Sequence, residues 1–162
     1  MIRAVCALLA LLAAGCAQVE IRPDLRNLEF ELTGRLAAST RAESFTGNLN
    51  WRHARSADEL LISTPLGQGV ARILRQGDAV VLATADRREY RAADAESLTE
   101  RVLGFRLPLA GLADWVRGKP SPALEERGWK IEYQEFDGAR RPIRMRFTYP
   151  GVELRLAITE WK

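Results

Sequence analysis

Phe45-Thr46-Gly47-Asn48-Leu49-Asn50-Trp51-Arg52-His53, written FTGNLNWRH, puts Phe45, Gly47, Leu49 and Trp51 on one side of an extended chain and Thr46, Asn48, Asn50 and Arg52 on the other. A period of two marks a strand with one buried face and one wet face. The same alternation precedes it, where Phe30, Leu32, Gly34, Leu36 and Ala38 oppose Glu29, Glu31, Thr33 and Arg35. DELLIST from Asp58 and GVARILRQ from Gly69 follow as two neighbouring strands. Next come residues 79–83 behind a Gly77-Asp78 turn, and a short strand at Tyr90 beyond the Asp86-Arg87-Arg88 corner. Near the C-terminus the pattern resumes in three strands. Trp129, Ile131 and Tyr133 alternate in residues 128–136, Ile143, Met145 and Phe147 in 142–149, and Val152, Leu154, Leu156 and Ile158 in the last strand.

Between the two sets of strands the period changes. Residues 94–104 begin with Asp94 as an N-cap, place Leu98 and Val102 four apart, and end on Gly104, which predicts a helix of about three turns. A second short helix is predicted over residues 110–117, with Leu112, Trp115 and Val116 on one side and a stop at Gly118-Lys119-Pro120. A third feature, a helical turn after Pro23, is expected within the tether described below.

Because every strand alternates, the expected fold is mainly β. One antiparallel sheet of roughly nine to eleven strands must curl to hide its apolar face. An open, unclosed β-barrel or half-barrel with a helical lid results, enclosing an apolar cavity. The candidate lining residues are Leu36, Leu49, Trp51, Leu98, Val102, Leu112, Trp115, Ile131, Tyr133, Met145, Phe147, Leu154 and Leu156. The four tryptophans, Trp51, Trp115, Trp129 and Trp161, fit either a ligand cavity or plain core.

A chain of 162 residues, 47 % hydrophobic, suffices for one domain with a core and is short for two. Its formal charge of +3 comes from basic residues spread among comparable numbers of acids, with no block suited to nucleic acid. Residues 1–16, MIRAVCALLALLAAGC, carry Arg3, an apolar run and small residues before a cysteine. That is the plan of a secretory leader, shorter than the roughly 20 residues of a transmembrane helix. Its end, Leu12-Ala13-Ala14-Gly15-Cys16, resembles the bacterial lipobox, with Ala13 where leucine is usual. The lipobox reading removes residues 1–15 as a signal peptide and leaves Cys16 as a lipidated first residue; the plain alternative is an ordinary leader and a free thiol. Cys6 lies inside the leader, so Cys16 is left without an intramolecular partner. Ala17 is not the aspartate that retains such proteins at the inner membrane, which points to the outer membrane. Residues 16–27 then form a lipidated tether and residues 28–162 the folded domain.

No catalytic constellation emerges. His53 has no thiol or metal-ligand spacing around it and reads as a surface residue at a strand end. The serines lack a nucleophile elbow, Gly67-x-Gly69 opens a strand rather than a helix, and no carboxylate falls in an apolar setting. Binding is favoured over catalysis, with no cofactor and no metal.

Ser63-Thr64-Pro65-Leu66-Gly67-Gln68-Gly69 has turn punctuation with an aliphatic residue at its centre. Leu66 is either tucked into the core or displayed to solvent. This motif belongs to a wider set: Gly34-Arg35, Gly47-Asn48-Leu49-Asn50-Trp51, Asp94-Ala95-Glu96, Leu107-Pro108-Leu109, Leu112-x-x-Trp115-Val116-x-Gly118-x-Pro120 and Gly128-Trp129-x-Ile131-x-Tyr133. In order and spacing the set resembles the LolB family of outer-membrane lipoproteins of Gram-negative bacteria, from about Leu28 to the C-terminus. The resemblance implies an open barrel with a helical lid whose cavity takes the acyl chains of other lipoproteins from the periplasmic carrier LolA. It further implies release of this cargo into the inner leaflet of the outer membrane, by a monomer anchored at Cys16 and facing the periplasm. Pro65, Leu66 and Gly67 would then form the membrane-insertion loop, with Leu66 projecting into solvent. The short tether departs from the family and limits the reach of the domain from the membrane. A generic lipid-binding or scaffold lipoprotein of the envelope, without transfer activity, is the alternative.

Overall fold

The computed structural model describes residues 21–103 and 105–162, so the leader, Cys16 and Gly104 lie outside the described residues. Six strands come first: β1 (Phe30–Thr40), β2 (Ser44–Ala54), β3 (Ala57–Ser63), β4 (Gly69–Gln76), β5 (Ala79–Thr84) and β6 (Glu89–Ala92). Helices α1 (Ala95–Leu103), α2 (Leu109–Val116) and α3 (Pro122–Glu126) follow, and β7 (Lys130–Phe136), β8 (Pro142–Tyr149) and β9 (Val152–Trp161) complete the chain. All nine strands join one antiparallel sheet in the order β6-β5-β4-β3-β2-β1-β9-β8-β7.

The first strand sits inside this order, sixth of nine, with Leu32 opposite Trp51 on one side and Leu36 opposite Leu156 on the other. Strands β6 and β7 are the edges and do not pair, so the barrel stays open. A bulge opposite Thr33 and Gly34, with Thr159 as the extra residue, bends β9 against β1 and adds local twist there. Gly34 permits the approach, because a Cβ there would stand 2.5 Å from the carbonyl oxygen of Ala157.

The helices occupy the connection from one free edge to the other. Asp94 caps α1, accepting 2.7 and 2.8 Å hydrogen bonds from the Ser97 backbone N–H and hydroxyl. Thr99 ties α1 to the next segment by accepting from the Leu107 N–H at 2.8 Å. In α2, Leu109, Leu112, Ala113, Trp115 and Val116 are all buried, so this helix is the plug of the fold rather than a surface element. It ends in a left-handed Gly118, φ 74°, whose N–H bonds the Trp115 carbonyl at 2.9 Å.

Two local expectations change. Residues 21–29 contain no helical turn: the Asp24 carboxylate accepts from the Arg26 N–H and guanidinium instead, a local arrangement that competes with helix. Helix α3 was not anticipated; it starts with a proline in its first turn, where a missing N–H is harmless, and lays Leu124 against Gly111 of α2.

Replacing Gly34 with alanine should lower stability by roughly 1–3 kcal/mol, because backbone rather than a movable side chain occupies the needed space. Urea unfolding of the two proteins checks this, and equal midpoints would show that β9 can withdraw.

Candidate functional site

A cavity of about 390 Å³ lies between the concave face of the sheet and the helices. Leu36, Leu49, Trp51, Leu60, Ile62 and Ile73 form its wall on the β1–β4 side, and Phe147, Leu154 and Leu156 form it on the β8–β9 side. Val102 of α1, Leu109, Leu112 and Val116 of α2, and Phe105 and Leu107 between them close it from above. The wall ends at one rim in Thr40, Ala42, Glu43 and Ser44, of which the last three are exposed. Gly47 shapes that rim, since a side chain there would run into the ring of Phe45, which instead folds over to line the cavity.

Eight of the anticipated lining residues stand in this wall: Leu36, Leu49, Trp51, Val102, Leu112, Phe147, Leu154 and Leu156. Leu98, Trp115, Ile131, Tyr133 and Met145 stand outside it. Helix α2 lies over β7 and β8, where Trp115 stacks on Phe147 at 6.2 Å and the Tyr133 hydroxyl donates to the Trp115 carbonyl at 2.8 Å. Side chains at that end are therefore spent on helix-to-sheet packing. Of the four tryptophans, only Trp51 lines the cavity. The β3–β4 contributions, Leu60, Ile62 and Ile73, were not singled out, although the alternation within DELLIST already separates Leu60 and Ile62 from the outward Leu61, which is exposed.

Below the end of the wall opposite the rim, polar groups replace apolar ones, and here the reading of His53 is corrected. It is buried, 4 % exposed, because Phe30 stacks on its ring at 4.9 Å and the register sets it opposite Asp58. Asp58 is itself 0 % exposed, in a setting of polar partners rather than an apolar one. One of its oxygens accepts from the Trp51 indole N–H at 2.8 Å and lies 2.6 Å from His53 Nδ1; the other accepts from Arg75 Nε at 2.5 Å. The buried charge is thus paired and hydrogen-bonded, as it must be to persist. Through the indole bond the cluster fixes the cavity wall itself.

The same end holds the lid helix. His53 Nε2 lies 3.9 Å from Glu29, and Glu29 pairs with Arg117, the residue after α2. Arg117 also bonds Asp114 at 2.7 Å and sits over the Phe30 ring at 5.9 Å. Burial alone would raise the Glu29 carboxyl, but the bond and charge of Arg117, aided by His53 and Lys119, hold it below the ordinary carboxylate range.

At the rim end, the turn between β3 and β4 answers the question about Leu66, whose side chain is 90 % exposed. Thr64 clamps the base of the turn: its carbonyl accepts from the Gly67 N–H at 2.9 Å, its N–H donates to the Gln68 carbonyl at 2.8 Å, and Asn48 Nδ2 reaches its carbonyl at 3.2 Å. Gly67, at φ 85°, turns the chain back so that Val70 and Ala71 rejoin the cavity wall. The displayed leucine and the open rim therefore occupy the same end of the sheet. Among the described residues no group of His, Cys, Asp and Glu could hold a metal ion, and no helix is long and apolar enough to cross a membrane.

Residues 28–161 match the family described as Outer membrane lipoprotein LolB. Proteins named outer-membrane lipoprotein LolB from Nitrosomonas europaea, Thiobacillus denitrificans and Chromobacterium violaceum are 37, 35 and 36 % identical to the chain. These alignments cover 89, 98 and 95 % of it and 77, 96 and 95 % of those proteins. In fold, the chain is similar to the crystal structure of a LolA superfamily protein from Nitrosomonas europaea, with a TM-score of 0.52, 14 % identity and 88 % of each chain covered.

Two measurements follow from the polar cluster. Asp58→Ala leaves the Arg75 guanidinium and the Trp51 N–H buried without their acceptor, and should cost about 3–5 kcal/mol in denaturant unfolding. Glu29→Gln should cost stability near neutral pH and progressively less on acidification. A carboxyl held low in the folded state contributes above its unfolded value and loses that contribution as pH falls through the folded one. A constant difference between the two proteins from pH 7 to pH 3 would deny Glu29 that role.

Proposed function

Since the chain belongs to the LolB family of outer membrane lipoproteins, we propose that it receives acylated lipoproteins from the carrier LolA and inserts them into the inner leaflet of the outer membrane. The observation that carries this reading is the pairing of an apolar cavity with a fully displayed leucine at the same end of the sheet. A volume of about 390 Å³ suits small apolar ligands or portions of acyl chains.

Each acyl methylene moved out of water is worth about 0.8 kcal/mol, so a lipoprotein with several chains does not cross an aqueous gap unaided. Replacing water with Leu, Ile, Phe and Trp side chains throughout removes that barrier. Passage from one such cavity to the next, and on into lipid, requires only successive differences in affinity. No covalent step is needed, which fits a non-enzymatic role without cofactor.

In this reading Leu66 is the membrane-facing probe. Burying it in lipid contributes about 1.5–3 kcal/mol, enough to bias contact and too little for stable attachment. Attachment falls to Cys16 at the head of a tether over residues 16–27, after removal of residues 1–15, with residues 28–162 acting as a monomeric binding domain that faces the periplasm.

Leu66→Glu should leave stability within about 0.5 kcal/mol, as for exposed sites generally, and leave cargo uptake from loaded LolA intact. Delivery of cargo into vesicles should drop sharply. Normal delivery by the variant would remove Leu66 from the mechanism. Failure of the unaltered protein to accept cargo from LolA would reduce it to a scaffold or a general lipid binder.

A further inference from the structure

The cavity wall is chemically blind to what its ligand is attached to. Aliphatic and aromatic side chains recognise a fatty chain by the water it leaves, and lipoproteins and membrane phospholipids carry chains of the same kind. Any discrimination between them must arise where the head of the ligand emerges, at the rim formed by Thr40, Ala42, Glu43 and Ser44. Among the described residues, Glu43 is the one ionisable side chain in the wall.

The geometry at Glu43 is that of a fixed backbone and an uncommitted carboxylate. Its N–H donates to Thr40 Oγ1 at 3.1 Å, and its carbonyl accepts from the Thr40 N–H at 2.8 Å, which pins the turn between β1 and β2. No ion pair or hydrogen bond engages its carboxylate among the described residues, unlike Glu29, Glu31 and Glu59, each held by an arginine or lysine. The neighbouring Arg41 makes no ion pair with it; the Arg41 side chain lies beside Gly151 of the β8–β9 turn.

Building on the acyl-binding reading above, we propose that Glu43 makes the cavity selective for chains with uncharged heads. The thioether-linked diacylglycerol and amide-linked acyl group of a lipid-modified cysteine have such heads; anionic phospholipids do not. A phosphate emerging past this rim meets a like charge, whereas an amide N–H or glycerol hydroxyl finds an acceptor. Two like charges about 4 Å apart in water repel enough to change affinity about fivefold, and salt weakens the effect.

Trp51 in the wall supplies the readout, since a brominated chain entering the cavity quenches its fluorescence. The purified full chain is titrated with two probes bearing the same brominated acyl chain, a neutral monoacylglycerol and an anionic lysophosphatidylglycerol. The protein should prefer the neutral probe about fivefold at low salt, with the preference shrinking as salt is added. Glu43→Gln should abolish the preference and Glu43→Lys reverse it, and unchanged urea-unfolding midpoints report that both variants are folded. Equal ratios in all three proteins, with the neutral probe binding normally, would overturn the role of Glu43 and leave the acyl cavity standing. Absence of quenching by the neutral probe in the unaltered protein would overturn both.

Discussion

A curled sheet whose two edge strands never meet sets the terms for everything else in this molecule. Strands β6 and β7 are successive in sequence apart from the helical segment, yet they lie at opposite ends of the sheet. The intervening chain must travel from one edge to the other across the concave face, and that face is apolar. The lid is consequently not an addition to the barrel but the path of the chain between its edges. Its residues cover the cavity because no other covering exists among the described residues, and the space remains because helix α2 fills only the β7–β8 end.

Polarity is arranged along the strands rather than across the sheet. At one end Asp58, His53 and Arg75 hold the Trp51 ring, and beside them Glu29 and Arg117 hold the end of α2. At the other end the turns carry no comparable buried cluster among the described residues, and the rim, Phe45 and the Leu66 turn gather there. A rigid base and an accessible rim are what a binding cavity needs if it is to admit and discharge ligands from one side only.

Much of this was legible in the residues. Alternation located the strands, and the GVARILRQ segment coincides with β4; Asp94 announced its helix through the capping bond later found at Ser97. Cavity residues were harder to separate from core, because Leu112 and Trp115 obey the same helical pattern, and only the position of α2 over β8 sends one to the wall and the other into packing. The His53–Asp58 pair was illegible for a different reason. Five positions apart in sequence, they become neighbours only through the β2–β3 register, and their burial depends on Phe30 from a third strand. Cross-strand chemistry is written in pairing, which no single segment displays.

The interior position of β1, between β2 and β9, also governs the order in which the molecule can be assembled. Its pairing with β2 joins near neighbours, but its other partner, β9, arrives more than a hundred residues later, as the bond from Thr159 to the Thr33 carbonyl, 126 residues apart, makes plain. During synthesis the β1–β6 meander can form from local pairings alone, while closure against β9 waits for the last strand to emerge and must overcome the entropy of a long loop. Until then one whole side of β1, including the close approach at Gly34, is an unpaired edge beside an uncovered apolar face. A fold that ends with its apolar face under cover thus passes through a stage in which that face has none.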